Sequence, residues 1–149
     1  MQRWILLGLV GAVILLSAGA FGVWSMRQNR ALEQWVPMPL NATSSKEERE
    51  QTLKEIQRLL THDSVLQRVA KEMNLQERFG LKSSEEAVAR LKSSMFVREG
   101  EFRHPMTQET FPSINIGVSG KTKERALLGE IAMRLTKETH TLLGLPDGG

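Results

Sequence analysis

Apolar positions along this chain fall into three successive patterns, and each predicts a different kind of element. The first is a continuous run. Residues 4–24 carry no charged side chain, and 16 of these 21 positions are apolar, the others being Gly8, Gly11, Ser17, Gly19 and Gly22. As a helix rising about 1.5 Å per residue, the run measures about 31 Å, close to the roughly 30 Å of bilayer hydrocarbon. The second pattern is helical periodicity. Ser45 and Glu48 form a capping-box pair ahead of Leu53, Ile56, Leu59 and Leu60, predicting a helix over about 46–60. Asp63 is then the expected N-cap of a second helix, with Val65, Leu66, Val69, Ala70 and Met73 on one face and an end near Asn74. Leu75, Phe79 and Leu81 cluster around Gly80. Ser83 and Glu86 suggest a further capping box, before a helix carrying Ala87, Val88 and Leu91 inward.

The third pattern is alternation. Met95, Phe96 and Val97 form a run too short for a helix, and from Phe111 onward Ile114, Ile116 and Val118 point one way while Asn115 and Gly117 point the other. Two strands are expected, joined by a polar hairpin loop over 99–110. A last helix over about 122–143 would turn Ala126, Leu127, Ile131, Ala132, Leu135, Thr139 and Leu142 to the core and end at Gly144 and Pro146. Between the apolar run and the first helix, Pro37 and Pro39 exclude a regular helix and confine any strand around 34–40 to a sheet edge. Trp35 and Val36 there suit packing on the domain or contact with a membrane surface equally.

The resulting expectation is an α+β protein: one N-terminal transmembrane helix, then a small domain of about four helices and a two- or three-stranded sheet. Its divisions are an anchor at 1–27, a linker or edge strand at 28–45, the α+β domain at 46–144 and a tail at 145–149. Trp4 and Trp24 stand at the two ends of the run, where an indole keeps its N–H among headgroups, and Arg3, Arg27 and Arg30 flank it. These five residues are the membrane-anchor flanks. A cleaved signal peptide competes with this reading, because Met1, Gln2 and Arg3 make a basic start and Ala18, Gly19 and Ala20 resemble a cleavage site. A buried helix of a soluble protein is the third alternative. Gly8 with Ala12 and Ala18 with Gly22 have the four-residue spacing that lets helices approach closely, so self-association is an expectation.

Charge changes the picture little. The formal charge of +3 owes its excess to Arg3, Arg27 and Arg30, the only charges before Glu33; the remainder holds 17 basic against 17 acidic side chains. Phosphate backbones demand clustered cations, so nucleic acid is not an expected partner. With no Cys, disulfides and thiolate chemistry are excluded. Gly120, Lys121 and Thr122 sit between a strand and a helix, the context of a phosphate loop, yet position 115, where that loop needs Gly, is Asn. His62, His104 and His140 lie on separate elements without metal-ligand spacing, and Glu47–Glu48 and Glu85–Glu86 occupy first helical turns, where they complement the helix dipole. No catalytic, cofactor-binding or metal residue is therefore expected.

The order of several short strings resembles the polysaccharide chain-length determinant (polysaccharide co-polymerase) family. These are His62-Asp63-Ser64-Val65-Leu66 through Met73-Asn74-Leu75, then Glu85-Glu86-Ala87-Val88-Ala89-Arg90-Leu91 followed by Met95-Phe96-Val97. Ser113-Ile114-Asn115-Ile116-Gly117-Val118-Ser119 comes next, and Lys123-Glu124-Arg125-Ala126 through Glu130-Ile131-Ala132 is last, with Met133 where the family usually has Asn. They cover about 62–138. The resemblance implies a single-pass protein of the bacterial inner membrane with Met1 in the cytoplasm and a periplasmic α+β domain. That domain would be a non-enzymatic, oligomerising or accessory component of exopolysaccharide or O-antigen biosynthesis and export, with polymerase or export proteins as partners. The chain has no Tyr for a tyrosine-rich tail and no second apolar run or long coiled coil, so an accessory or binding role is expected over length measurement itself. The alternative function is a membrane-anchored envelope module serving secretion or adhesion.

Overall fold

A computed structural model of the chain describes residues 27–145. The first element is strand β1, Ala31–Pro39. Four helices follow: α1, Lys46–Leu60; α2, Asp63–Glu72; α3, Leu75–Arg78; and α4, Ser84–Ser94. A hairpin of β2, Met95–Arg103, and β3, Thr110–Lys121, leads through a 3-10 turn, Thr122–Glu124, into α5, Arg125–Leu143. The sheet is fully antiparallel in the order β1-β3-β2, so β3 lies at its centre between the two edge strands β1 and β2.

Local chemistry explains most boundaries. At α1 the capping box closes: Ser45 Oγ accepts from Glu48 N at 3.2 Å, and Glu48 Oε2 accepts from Ser45 N at 2.8 Å. At α4 only half of it forms. Ser83 Oγ accepts from Glu86 N at 3.2 Å, but the Glu86 carboxylate turns to Lys82 N at 3.1 Å. Asp63 is the first helical residue of α2 and not its cap; His62 holds the cap position without a side-chain cap bond, and the Asp63 carboxylate pairs with Lys92 Nζ at 3.0 Å. Asn74 enters the left-handed region at φ 52°, which Asn tolerates, and this bend ends α2 and restarts the chain as α3.

The fold expectation is corrected in two respects. The described residues hold five helices, the added one being α3, whose four residues were too few to show periodicity. No helix among them is long and apolar enough to cross a membrane. The longest, α5 with 19 residues, is crossed by Arg125, Glu130, Arg134, Lys137 and Glu138. The expected transmembrane helix, with Arg3, Trp4 and Trp24, falls on residues outside the described ones. Three narrower expectations also change. The hairpin loop is only 104–109, because β2 runs on to Arg103; Leu128 takes an inward place on α5, and Ala126 and Leu142 are exposed.

All five helices lie on one face of the sheet, giving two layers around one core. Ile114, Ile116 and Val118 of β3 meet Leu128, Ile131 and Leu135 of α5, Ile56 and Leu60 of α1, Leu66 and Val69 of α2, Leu75 of α3 and Leu91 of α4, all fully buried. Each such side chain contributes about 1.5–3 kcal/mol through burial. Gly120 permits the closest approach of the layers, since a Cβ there would fall 2.9 Å from Leu128 Cδ1.

Candidate functional site

A strand directs alternate side chains to opposite faces, so positions skipped by the core line the sheet's other side, which no helix among the described residues covers. On β1 these include Glu33 and Trp35, on β3 Ser113, Asn115 and Gly117, and on β2 Phe96, Arg98 and Gly100. Register then brings specific residues together. Gly117 at the centre lies opposite Trp35 on one side and Phe96 on the other. A Cβ at Gly117 would come within 2.4 Å of Gln34 O and 2.7 Å of both Phe96 Cζ and Trp35 Cβ, so only glycine lets the two aromatics close over the middle strand.

Arg98 completes the arrangement. Its guanidinium carbon lies 4.4 Å from the Phe96 ring centroid and 5.5 Å from that of Trp35, while Nη2 donates to Glu33 Oε2 at 2.7 Å. Four side chains from β1 and β2 gather over Gly117 of β3, with Trp35 48 % exposed. Cation–π contacts at exposed sites contribute about 0.5–1 kcal/mol each, and an ion pair with both partners nearly half exposed adds less than about 1 kcal/mol. The stack therefore orients its groups more than it stabilises the fold. Beside it, Asn115 lies over Gly100, where a Cβ would meet Asn115 Nδ2 at 2.2 Å, and Asn115 Oδ1 accepts from Ser113 Oγ at 3.2 Å.

The sheet edges are less open than this face. Arg30 O accepts from Thr122 N at 3.0 Å, and Leu40 N donates to Pro112 O at 2.8 Å, so even-numbered residues of β1 turn their backbone groups toward β3. Pro37 and Pro39 fall on the outward parity, where the missing N–H costs no ladder bond and leaves no donor for an added strand. At the opposite edge, Gln57 Nε2 donates to Val97 O at 3.1 Å, and Glu99, Glu101 and Arg103 charge the rest of β2.

Other charged clusters hold elements together. Glu138, 4 % exposed, accepts from Arg68 of α2 and from Arg134 Nη2 at 2.5 Å, and Arg134 also reaches Glu72, clipping α2 to α5. Arg90 lies 3.8 Å over the Phe79 ring and donates to Glu124 Oε1 at 2.7 Å. Burial works against the Glu124 charge, but the Arg90 guanidinium and the Lys121 amide outweigh it and hold this carboxyl below the usual carboxylate range. The hydrogen bond between Arg78 and Glu130 raises the first and lowers the second. Its own backbone amide and the Ser83 hydroxyl lower Glu85 at the start of α4.

The structure sorts the remaining sequence candidates. Arg27 and Arg30 are exposed, and Arg30 enters β1 with its carbonyl accepting from Thr122 N and, at 3.1 Å, from Thr122 Oγ1. Around Gly120-Lys121-Thr122 the amide of Lys121 donates to Glu124 Oε2 at 3.1 Å and that of Thr122 to Arg30 O, so both are taken by protein acceptors. His104 Nδ1 faces the amides of Met106 and Thr107 at 3.3 and 3.2 Å and shapes the hairpin turn, and His62 Nδ1 pairs with Ser64 Oγ at 2.8 Å. Among the described residues no three His, Cys, Asp or Glu side chains converge on a metal position. Trp35, Phe96, Arg98 and Gly117 escaped the sequence reading as a site. The available signal was Gly117, a glycine inside a clean strand, which marks close approach across it.

Comparison of the chain with models of known protein families, with curated proteins and with solved structures finds no match.

Proposed function

We propose that this protein is a non-catalytic accessory component of glycan assembly and export at the bacterial cell envelope, acting by binding through the open face of its sheet. The observation that carries this reading is the Trp35–Arg98–Phe96 stack over Gly117, an organised aromatic and charged surface that contributes little to stability. A surface that orients an exposed indole and a guanidinium without stabilising the core is what recognition requires. Further support comes from the charged groups elsewhere. Glu138 and Glu124 are bound to arginines that tie helices together, an arrangement suited to scaffolding. The glycan setting is supported by the ordered strings that resemble those of chain-length determinants, and location at a membrane by the charge-free run at 4–24.

The test is genetic. Cells lacking the protein should alter the amount or chain-length distribution of their surface polysaccharide, resolved by gel electrophoresis. A chromosomal W35A/R98A variant should reproduce the change at normal protein abundance. Unchanged polysaccharide in the deletion strain overturns the proposal.

A further inference from the structure

We infer that the open face binds the glycan itself: a neutral chain of pyranose rings seated on the Trp35 indole, with Arg98, Glu33 and Asn115 addressing its hydroxyls. This inference rests on the reading that the protein works in glycan assembly, and size is the first argument for it. Three strands of about nine residues, spaced about 4.8 Å apart and rising about 3.3 Å per residue, offer roughly 400 Å². Two copies packed through this face would share a flat footprint of only roughly 400 Å², at the small end for a specific stable interface. A sugar ring is matched to a single indole.

Charge is the second argument. The Arg98 guanidinium in the stack is neutralised by Glu33 at 2.7 Å, so the aromatic centre offers no net attraction to a polyanion, whereas an uncharged ligand meets no penalty. The chemistry of the groups is the third. A pyranose presents a patch of weakly positive C–H groups on its ring face, complementary to the negative face of an aromatic ring, and a rim of hydroxyls that both donate and accept. Arg98 spends one of its donors on Glu33, the Glu33 carboxylate accepts, and Asn115 keeps its amide donors because Ser113 engages the carbonyl side. Donors and acceptors thus surround a half-exposed indole held in place by Gly117 and the Arg98 stack.

The experiment is calorimetric titration of the full-length protein, kept in a non-glycosidic detergent, with chitotetraose, cellotetraose and maltotetraose. At least one should bind saturably with a Kd of about 0.1–1 mM, the range expected of a shallow open site. W35A should weaken that binding by at least about tenfold, and W35F should restore it to within about threefold because an aromatic face remains. Cooperative thermal unfolding of both variants well above the titration temperature separates lost binding from lost fold. A W4F/W24F protein keeps Trp35 as its one indole, and the bound sugar should protect it from acrylamide quenching. Silence with all three sugars, or binding indifferent to W35A, overturns the inference. So does concentration-dependent dimerisation abolished by W35A, which would assign the face to a second copy. If the sugars are silent while deletion still alters surface polysaccharide, the proposed function stands and only this inference falls. If deletion alters nothing, the proposed function falls irrespective of the titration.

Discussion

The two faces of β3 lie one residue apart in sequence and are built on opposite principles. Ile114, Ile116 and Val118 are fully buried beneath five helices, while Asn115 and Gly117 serve a surface whose largest side chain, Trp35, stays half exposed. On the covered face the gain comes from removing apolar area from water, which scales with volume and tolerates no vacancy. On the open face it comes from stacking and one solvated ion pair, each small, so geometry is maintained at little energetic cost or benefit. One strand thus carries stability on one side and orientation on the other.

Substitutions along β3 and its neighbours test that division, beginning with the largest effect. Ile116→Ala, which opens a cavity among fully buried neighbours, should destabilise by about 2–5 kcal/mol in urea denaturation. A loss below about 1 kcal/mol would mean the helices are not sealed onto the sheet. Gly117→Ala probes the boundary between the faces. Its Cβ would meet a backbone oxygen of β1 as well as two ring-bearing side chains, so a loss of about 1–3 kcal/mol is expected, with Trp35 fluorescence shifted because the indole must move.

Acid sensitivity probes the ion pair between Arg90 and Glu124 on the helix side. Glu124 has its carboxyl lowered in the folded state, so the stability it contributes is complete above the unfolded value of about 4.3 and is lost as pH falls through the folded value. E124Q should remove that part of the acid limb, making stability less steep with pH below about 5. An acid limb unchanged by E124Q would show that the Arg90–Glu124 pair contributes nothing to folding. The smallest stability effect belongs to Trp35→Ala, expected to cost about 1–2 kcal/mol because half the side chain is already in water. A larger cost would make Trp35 a structural residue and draw the open face into the core.

Much of the helical layer is legible in the chain because capping and periodicity act over three or four residues. Ser45 with Glu48 marks the start of α1, and the β1 prolines declare an edge, whichever strands lie next to it. Where short-range signals run out, the reading errs. α3 is a single turn set by one left-handed Asn; on α5 the inward face takes in Leu128 and leaves Ala126 exposed, while Leu127, Ile131 and Leu135 stay inward as expected. The stack is illegible for a stronger reason. Glu33, Phe96 and Arg98 are drawn from strands more than 60 residues apart, and no local pattern states that β1 and β2 flank the same glycine.

What the sequence determines by itself is therefore the inventory: a charge-free run at 4–24, helices with capped starts, a strand of strict alternation, an edge strand with two prolines, and no cysteine. Those follow from interactions between residues close along the chain and from composition. The tertiary structure alone decides that β3 lies between β1 and β2, that the five described helices take one side, and that Trp35, Arg98 and Phe96 converge on the other. The physical reason is that strand order and register arise from burying Ile114, Ile116 and Val118 under helices contributed by distant segments. The opposite face is assembled as a consequence of that burial.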